Sequence, residues 1–367
     1  MNKSYYSLGL MSGTSGDGID ASIIKSDGQT YYEAFLDKYF EYNVQIQENI
    51  HTLKDKIANN PQKLIEFSKE VNSLEKSITL SHAEAVNNIL KETKKNINFI
   101  GFHGQTILHS PLHSLTKQLG DGKLLSQLTK KKVIFDFRQN DLKNGGQGAP
   151  LTPVFHKLLK NKYKFKLPLI ILNIGGIANV TSVDLEGQMY SQDVGPGNCL
   201  IDQWIRQNSE KKYDDKGEVA KSGKINKLIL NQALENFSYH SNFKSYDVKD
   251  FDASFVKGLS LEDGAATLTE YTSEIIQNYL NMFFDDQNKN ILITGGGRRN
   301  NFLVKRIEEK INIPIKPVDD FGINGDFVES QAFAYLAIRS FLKLPISFPE
   351  TTGCKEPCTG GEIVGNF

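Results

Sequence analysis

The chain lacks a charge bias. Lysine plus arginine number 43 and aspartate plus glutamate also number 43, so no global field favours nucleic acid or an anionic membrane. That balance points to a small-molecule partner. Long apolar runs are missing too, and no stretch approaches the roughly 18 residues of a membrane span. The first residues carry one lysine but neither an apolar segment of useful length nor a small-residue cleavage site, so they do not read as an export leader. Cysteine is scarce, with three in 367 residues, which excludes a disulfide framework. Cys354 and Cys358 are spaced CxxxC with no third ligand near them in sequence, whereas structural zinc normally takes four protein ligands. Both read, with Cys199, as reduced thiols of a cytoplasmic protein.

What is present is glycine in clusters. A chain of this length exceeds one ordinary core and is read as about two domains. Its organising stretch is Gly9 to Asp20, GLMSGTSGDGID, set between apparent strands at 5–11 and 19–24. The turn combines Gly13, Gly16 and Gly18 with the hydroxyls of Ser12, Thr14 and Ser15, followed by Asp17 and Ile19. Backbone N–H groups and hydroxyls in such a turn suit phosphate. Asp17 and Asp20 would repel a bare phosphate, so a divalent cation between them makes better sense. The plainer alternative is a Gly-rich hairpin with exposed hydroxyls.

Irregular alternation over 31–42 gives a third strand. From 44 to 95 apolar residues recur at helical spacing, and Asn59-Asn60-Pro61 divides the stretch into two helices. Residues 97–102 form an apolar strand ending in a polar turn, His103-Gly104-Gln105-Thr106, where ligands of open α/β sheets gather; a lone histidine is more often structural than functional. A strand at 132–137 leads to Arg138 and the glycine-rich 145–150, near which the first domain boundary is placed. A strand at 167–174, the Gly175-Gly176 turn and a second strand then repeat the strand–turn–strand opening of the N-terminus. A strand from 189 delivers Asp193-Val194-Gly195-Pro196-Gly197-Asn198 ahead of a helix at 199–207. Residues 210–227 read as a surface excursion, with helices at 228–237 and 260–284 after it. A strand at 290–294 runs into Gly295-Gly296-Gly297, and a last helix spans 329–342. The expected domains are 1–137 with a tail from about 341 to 367, and 138–340.

Four glycine-rich turns after four strands, in a two-part α/β chain, point to a nucleotide lying in a cleft between domains. No GxxxxGK[ST] and no helix-opening GxGxxG is present, and the protein-kinase motif set is missing. Phosphoryl transfer needs a carboxylate to take the acceptor's proton. Asp193, at a strand end before a Gly-Pro-Gly turn, is the candidate, with capping of the next helix as its alternative role. Arg138 is a candidate anion or sugar clamp through its planar fork, or else a surface ion-pair partner. Glu329 and Asp326 either face the same cleft or favour the N-terminus of the last helix, and Asp326 is assigned the latter.

Six motifs occur in order: GLMSGTSGDGID, HGQTILHSP, DFRQNDLKNGGQGAPLTPVFH, LNIGGIANVT, DVGPGNCLID and TGGGRRNNFL. Together they closely resemble the anhydro-N-acetylmuramic acid kinase family of bacterial cell-wall recycling. The resemblance spans nearly the whole chain. It implies an α/β fold of two ribonuclease-H-like, actin-like ATPase domains with an ATP cleft between them. It also implies hydrolytic opening of the 1,6-anhydro bridge, phosphorylation of O6 by ATP with Mg²⁺, a cytoplasmic location and a homodimer. In the carried-over roles Asp193 activates water. The loop matching Ser12 to Ile19 binds ATP, Gly295 to Gly297 match the adenosine side, and Mg²⁺ accompanies the nucleotide. The glycine turns themselves add Gly175, Gly176, Gly195, Gly197 and Asn198 as candidate ATP contacts, and Asp17 is a candidate neighbour of the metal, whose ligands are not assigned. Arg138, His103, Gln105 and Glu329 face the sugar.

Three departures from the family pattern stand out. Val194 occupies a position where Thr is commoner, which removes a hydroxyl near the phosphates. Lys244-Ser245-Tyr246-Asp247 stands where a small Thr-Gly often follows Lys-Ser, which puts the local loop and its sugar contacts in doubt, and Cys354 and Cys358 are additions in the tail. None is expected to touch the chemistry. Two other functions are weighed: a different sugar kinase on the same fold, and an actin-like ATP switch whose turnover ignores sugars.

Overall fold

The computed structural model describes residues 3–58, 60–239, 245–283 and 289–365, with the side chain of Phe283 left out. The chain divides into two units, one made of 1–164 with 327–367 and the other of 165–326. Asn59, Lys244 and Phe284, which enter the readings above, lie outside the described residues.

In the first unit the strands are β1 (Tyr5–Ser12), β2 (Gly18–Ser26), β3 (Tyr32–Glu41), β4 (Phe99–Ser110), β5 (Leu115–Leu119) and β6 (Lys132–Phe135). The sheet runs β6-β4-β1-β2-β3, with Glu362–Val364 antiparallel on the β6 edge and β5 antiparallel to β4. β1 is antiparallel to β2 and parallel to β4. The helices Val44–Ile57 and Ser68–Glu92 bury Ile50, Ile78 and Val86 against Leu8, Leu10, Ile100 and Phe102. On the helix Val328–Phe341 nearly every residue is buried. Glycine in two adjacent strands lets this helix approach. A Cβ on Gly9 would stand 1.9 Å from the Ser330 carbonyl oxygen, and one on Gly101 2.3 Å from that of Phe333.

The second unit has β7 (Leu169–Ile174), β8 (Ile177–Val183), β9 (Met189–Pro196), β10 (Asn290–Thr294) and β11 (Ile315–Pro317) in the order β11-β10-β7-β8-β9. β7 is antiparallel to β8 and parallel to β10. Setting aside the edge strand Glu362–Val364 and β5, both sheets therefore follow one plan, the first strand central with a hairpin partner on one side and a parallel partner on the other. This is the doubled ribonuclease-H-like arrangement. Leu172, Val180, Trp204, Leu268 and Ile291 form part of the second core. Ser260 caps the helix Leu261–Phe283 by accepting from the Asp263 amide at 3.1 Å. No helix among the described residues is long and apolar enough to cross a membrane.

Three readings change. The units divide at 164/165 and 326/327 rather than at 137/138 and 340/341. The helix Pro153–Tyr163 places Phe155 against Tyr32 and Tyr335, and the helix Val328–Phe341 packs on β1 and β4, so both belong with the first sheet. The HGQT stretch is not a terminal turn. β4 continues through it to Ser110, with a register shift against β1 and Gly104 at φ 76°, which makes it a bulge. The 210–227 excursion contains the helix Glu218–Ser222, whose Val219 and Ala220 enter the second core.

Candidate active site

In the first unit, the turn after β1 is closed by the Gly16 amide donating to the Gly13 carbonyl at 3.2 Å. Ser12 is 1% exposed, and its hydroxyl is taken up inside the unit. His82 holds the Ile78 carbonyl at 2.8 Å; a carbonyl only accepts, so Nδ1 carries the proton and Nε2 accepts from the Ser12 hydroxyl at 3.2 Å. Tyr42 donates to the same Ser12 oxygen at 2.8 Å. The exposed members of the turn are Thr14, Ser15 and Asp17, with Ser15 donating to Asp17 at 2.7 Å. Lys54 Nζ donates to the Thr14 carbonyl at 2.8 Å. Gly18 and Ile19 belong to β2. A Cβ on Gly18 would meet the Phe40 carbonyl at 2.4 Å, and the Ile19 side chain is in the core.

His103, Gln105 and Arg138 gather on the same unit. Arg138 donates from Nε (3.1 Å) and NH2 (2.9 Å) to His103 Nε2, and from NH1 to the Gly148 carbonyl at 2.8 Å. His103 Nδ1–H donates to the Gly104 carbonyl at 2.8 Å, so both ring nitrogens are engaged and the ring is neutral. Burial, with the Arg138 charge second, holds its pKa well below the usual range. Gln105 Nε2 donates to the Gly13 carbonyl at 2.9 Å, joining β4 to the turn. Its Oε1 is buried and meets no donor among the described residues. Glu329 stands in the first turn of the helix Val328–Phe341, half-buried, beside Ser330, whose hydroxyl meets that of Ser22 at 2.7 Å.

Asp193 lies within β9 and is 9% exposed. Its Oδ2 accepts from the Tyr246 amide at 2.9 Å, which fixes the orientation of the carboxylate. The Tyr279 phenol is pushed up by burial and by the Asp193 charge. Two readings of the departures are corrected here. Val194 points the other way along the strand into the second core, so the position offers no side chain to phosphates. The altered loop does reach a residue assigned to the chemistry, through the Tyr246 amide on Asp193.

The glycine turns of the second unit converge at the end of β7. The amides of Gly197 and Asn198 donate to the carbonyls of Gly176 and Gly175 at 2.9 and 2.8 Å. Gly295, at φ 79°, sits where a Cβ would meet Asn173 Oδ1 at 2.4 Å, and Gly297 packs on Ile174. Gly296 faces open space, with nothing within 4 Å of a Cβ. Gly195 instead lies on the helix Leu261–Phe283, 2.7 Å from Ile275, and serves packing. Arg298 anchors the 295–299 turn by donating to Asp319 at 2.7 Å and Asp326 at 2.6 Å. Asp326 is thus an ion-pair partner of Arg298 and Arg299 rather than a helix-end charge.

Sequence reasoning missed Tyr42, His82, Asp141 and the Tyr246 amide. His82 carried a signal: it recurs with Val71, Leu74, Ile78 and Val86 on the buried stripe of its helix, where a polar residue needs a partner. Asp141 precedes a glycine-rich loop, a position from which a carboxylate collects backbone amides, here Gly148 at 2.6 Å.

The buried imidazoles set an acid limit on stability. Burial brings His82 and His156 down to about 4, and burial with the Arg138 charge brings His109 to about 3. Unfolded, each titrates near 6.5, so below that pH the unfolded chain binds more protons. The stabilisation is present above pH 6.5 and is lost as pH falls toward 4, at about 1.4 kcal/mol per pH unit for each residue. Urea midpoints are expected to drop between pH 7 and pH 5. Equal midpoints across that range would mean that these rings are solvated or charged in the folded chain.

The two sequence comparisons agree with each other. The family model for anhydro-N-acetylmuramic acid kinase matches residues 5–366. The chain is 52% identical to the anhydro-N-acetylmuramic acid kinase of Pelagibacter ubique (strain HTCC1062), over 100% of both chains. It is 37% identical to that of Zymomonas mobilis subsp. mobilis, covering 97% of this chain and 98% of the relative. Among solved structures, component A of the (R)-2-hydroxyglutaryl-CoA dehydratase of Acidaminococcus fermentans is 12% identical. It covers 92% of this chain and 100% of that one, at a TM-score of 0.45, too loose a likeness to carry an argument. By the extent of the sequence match, this chain belongs to the anhydro-N-acetylmuramic acid kinase family.

Proposed function

We propose that the protein is an ATP-dependent kinase that opens the 1,6-anhydro ring of anhydro-N-acetylmuramic acid with water and phosphorylates O6, in the recycling of murein. The observation that carries this reading is the family match along residues 5–366. Asp193 takes a proton from water as the water oxygen bonds to the anomeric carbon. The bond from that carbon to O6 breaks, O6 bonds to the γ-phosphorus of ATP, and ADP leaves. The products are N-acetylmuramic acid 6-phosphate and ADP.

The nucleotide reading is argued within each unit by itself. In the first unit the 13–15 turn, and in the second the amides of Gly176, Gly296 and Gly297, are the backbone donors proposed for phosphates, with room at Gly296 for the adenosine. Gly16, Gly175, Gly197, Asn198 and Gly295 shape these turns, their own amides being taken by carbonyls within each unit. Ser12 contributes backbone only, since Tyr42 and His82 occupy its hydroxyl. The exposed Asp17, with one oxygen taken by Ser15, fits a hydrated Mg²⁺. When bound with ATP, that ion neutralises phosphate charge. On the sugar side, His103 aims Arg138, and Gln105, whose buried Oε1 meets no donor among the described residues, is a candidate beside it. Glu329 is a further sugar-side candidate. The enzyme is read as cytoplasmic and as a homodimer, as its family resemblance implies.

The test is an ADP-release assay with ATP, Mg²⁺ and the anhydro sugar, with products identified by mass. A gain of one phosphate and one water is expected. Phosphate alone would indicate an ordinary sugar kinase, and sugar-independent ADP release an ATP switch. Replacing Arg138 by Ala is expected to raise the KM for the sugar about tenfold or more, a charged hydrogen bond being worth about 1.5–3 kcal/mol. The KM for ATP should stay within about twofold. An unchanged sugar KM would remove Arg138 from the binding site.

A further inference from the structure

The C-terminal tail runs back along the loop that follows Arg138. The Gln147 amide donates to the Thr352 carbonyl at 2.8 Å and the Lys355 amide to the Asn144 carbonyl at 3.1 Å. Where the two segments meet, one carboxylate oxygen of Asp141 and the sulfurs of Cys354 and Cys358 all lie within 4.8 Å of one another. These residues are 1%, 2% and 8% exposed. Among the described residues no other such group of three metal-ligating side chains occurs.

Asp141 is a carboxylate withdrawn from water. Its partners among the described residues are neutral: the Gly148 amide at 2.6 Å, the Thr352 hydroxyl at 2.6 Å and the Cys358 thiol at 3.8 Å. Buried charge is ordinarily offset by an opposite charge or a metal. Two thiols beside it supply soft ligands, which select zinc-like ions over magnesium or calcium. Zinc bonds of about 2.0–2.3 Å place tetrahedral ligand atoms roughly 3.3–3.8 Å apart, so the cluster needs a contraction of at most about 1–1.5 Å.

We propose that Asp141, Cys354 and Cys358 form a site for one thiophilic divalent cation of the zinc class, clamping the tail at 352–358 to the loop at 139–148. Binding releases the two thiol protons and forms two sulfur–metal bonds and one oxygen–metal bond. The Ser347 hydroxyl, 3.0 Å from the Cys358 sulfur, or a water completes four ligands. The clamp also bears on Arg138, because Gly148, held by Asp141 through its amide, accepts from Arg138 through its carbonyl. The CxxxC spacing alone could not show this, since the third ligand comes from a distant part of the chain.

The experiment uses the full chain, reduced and stripped of metal, titrated with Co²⁺ and then Zn²⁺. One Co²⁺ per chain is expected, with a thiolate-to-cobalt charge-transfer band in the near ultraviolet that Zn²⁺ abolishes and excess Mg²⁺ does not. Cys354→Ser and Cys358→Ser should each lose the band, and Asp141→Asn should weaken binding at least about tenfold. Cys199→Ser, in the second unit, should leave the band unchanged. Circular dichroism checks that each variant is folded, and Cys354→Ala and Cys358→Ala replace any serine variant that is not. Absence of the band in the reduced native chain would overturn the proposal. So would a band that survives in folded Cys354 and Cys358 variants.

Discussion

Replacing Asp193 by Asn is expected to lower kcat by about 10³-fold or more, since a positioned general base contributes about 10²–10⁴. The variant keeps the geometry, because the Tyr246 amide that donates to Oδ2 can donate equally to an amide oxygen. What it loses is the ability to take the proton of the attacking water. The KM for ATP should therefore stay within about twofold, and thermal stability should change little. Coupled ADP release at saturating sugar measures the first expectation, and nucleotide titration the second. A fall of less than tenfold would place the base on another residue and return Asp193 to a structural role in β9.

Gly9→Ala is expected to destabilise the first unit by about 3 kcal/mol or more, at the upper end of the cost of overpacking. The added carbon would lie 1.9 Å from the Ser330 carbonyl oxygen and 2.5 Å from the Ala334 amide nitrogen. Both are backbone atoms of a helix, so no side chain can rotate away. The helix would have to lift off the sheet, opening the contacts of Gly101 and the Ser22–Ser330 hydrogen bond with it. Urea unfolding measures the effect. Gly296→Ala is the control, because it meets nothing within 4 Å, and surface changes of this kind stay within about 0.5 kcal/mol. A Gly9→Ala chain as stable as the native one would mean that the helix has slack against β1.

The paired strand–turn–strand openings were legible in the letters, and the two sheets carry them out in one strand order. Most of the glycine-rich turns were legible as well, standing after a strand as expected, whereas HGQT lies inside β4. What the letters could not carry was partnership across the chain. Neighbours in sequence say nothing of Arg138 reaching His103, of Tyr246 reaching Asp193, or of Asp141 meeting Cys354 and Cys358. The bulge at Gly104 was hidden because polar residues inside a strand look like its end. The unit boundaries were misplaced for a related reason: helices at 153–163 and 328–341 reveal their sheet only through what Phe155 and Ala334 touch.

The second unit is continuous from 165 to 326, whereas the first is assembled from 1–164 and 327–367. During synthesis the first unit's strands therefore leave the ribosome early, yet the helix that covers Gly9 and Gly101 arrives only after the whole of the second unit. Domains fold as units in the order in which they become complete. The second unit, begun later, is complete first, and the N-terminal sheet keeps one apolar face uncovered until the last helix emerges. Once residue 326 has left the ribosome the nascent chain thus holds a complete second unit and an open first one, and in that interval the N-terminal sheet waits for the helix Val328–Phe341 to cover it.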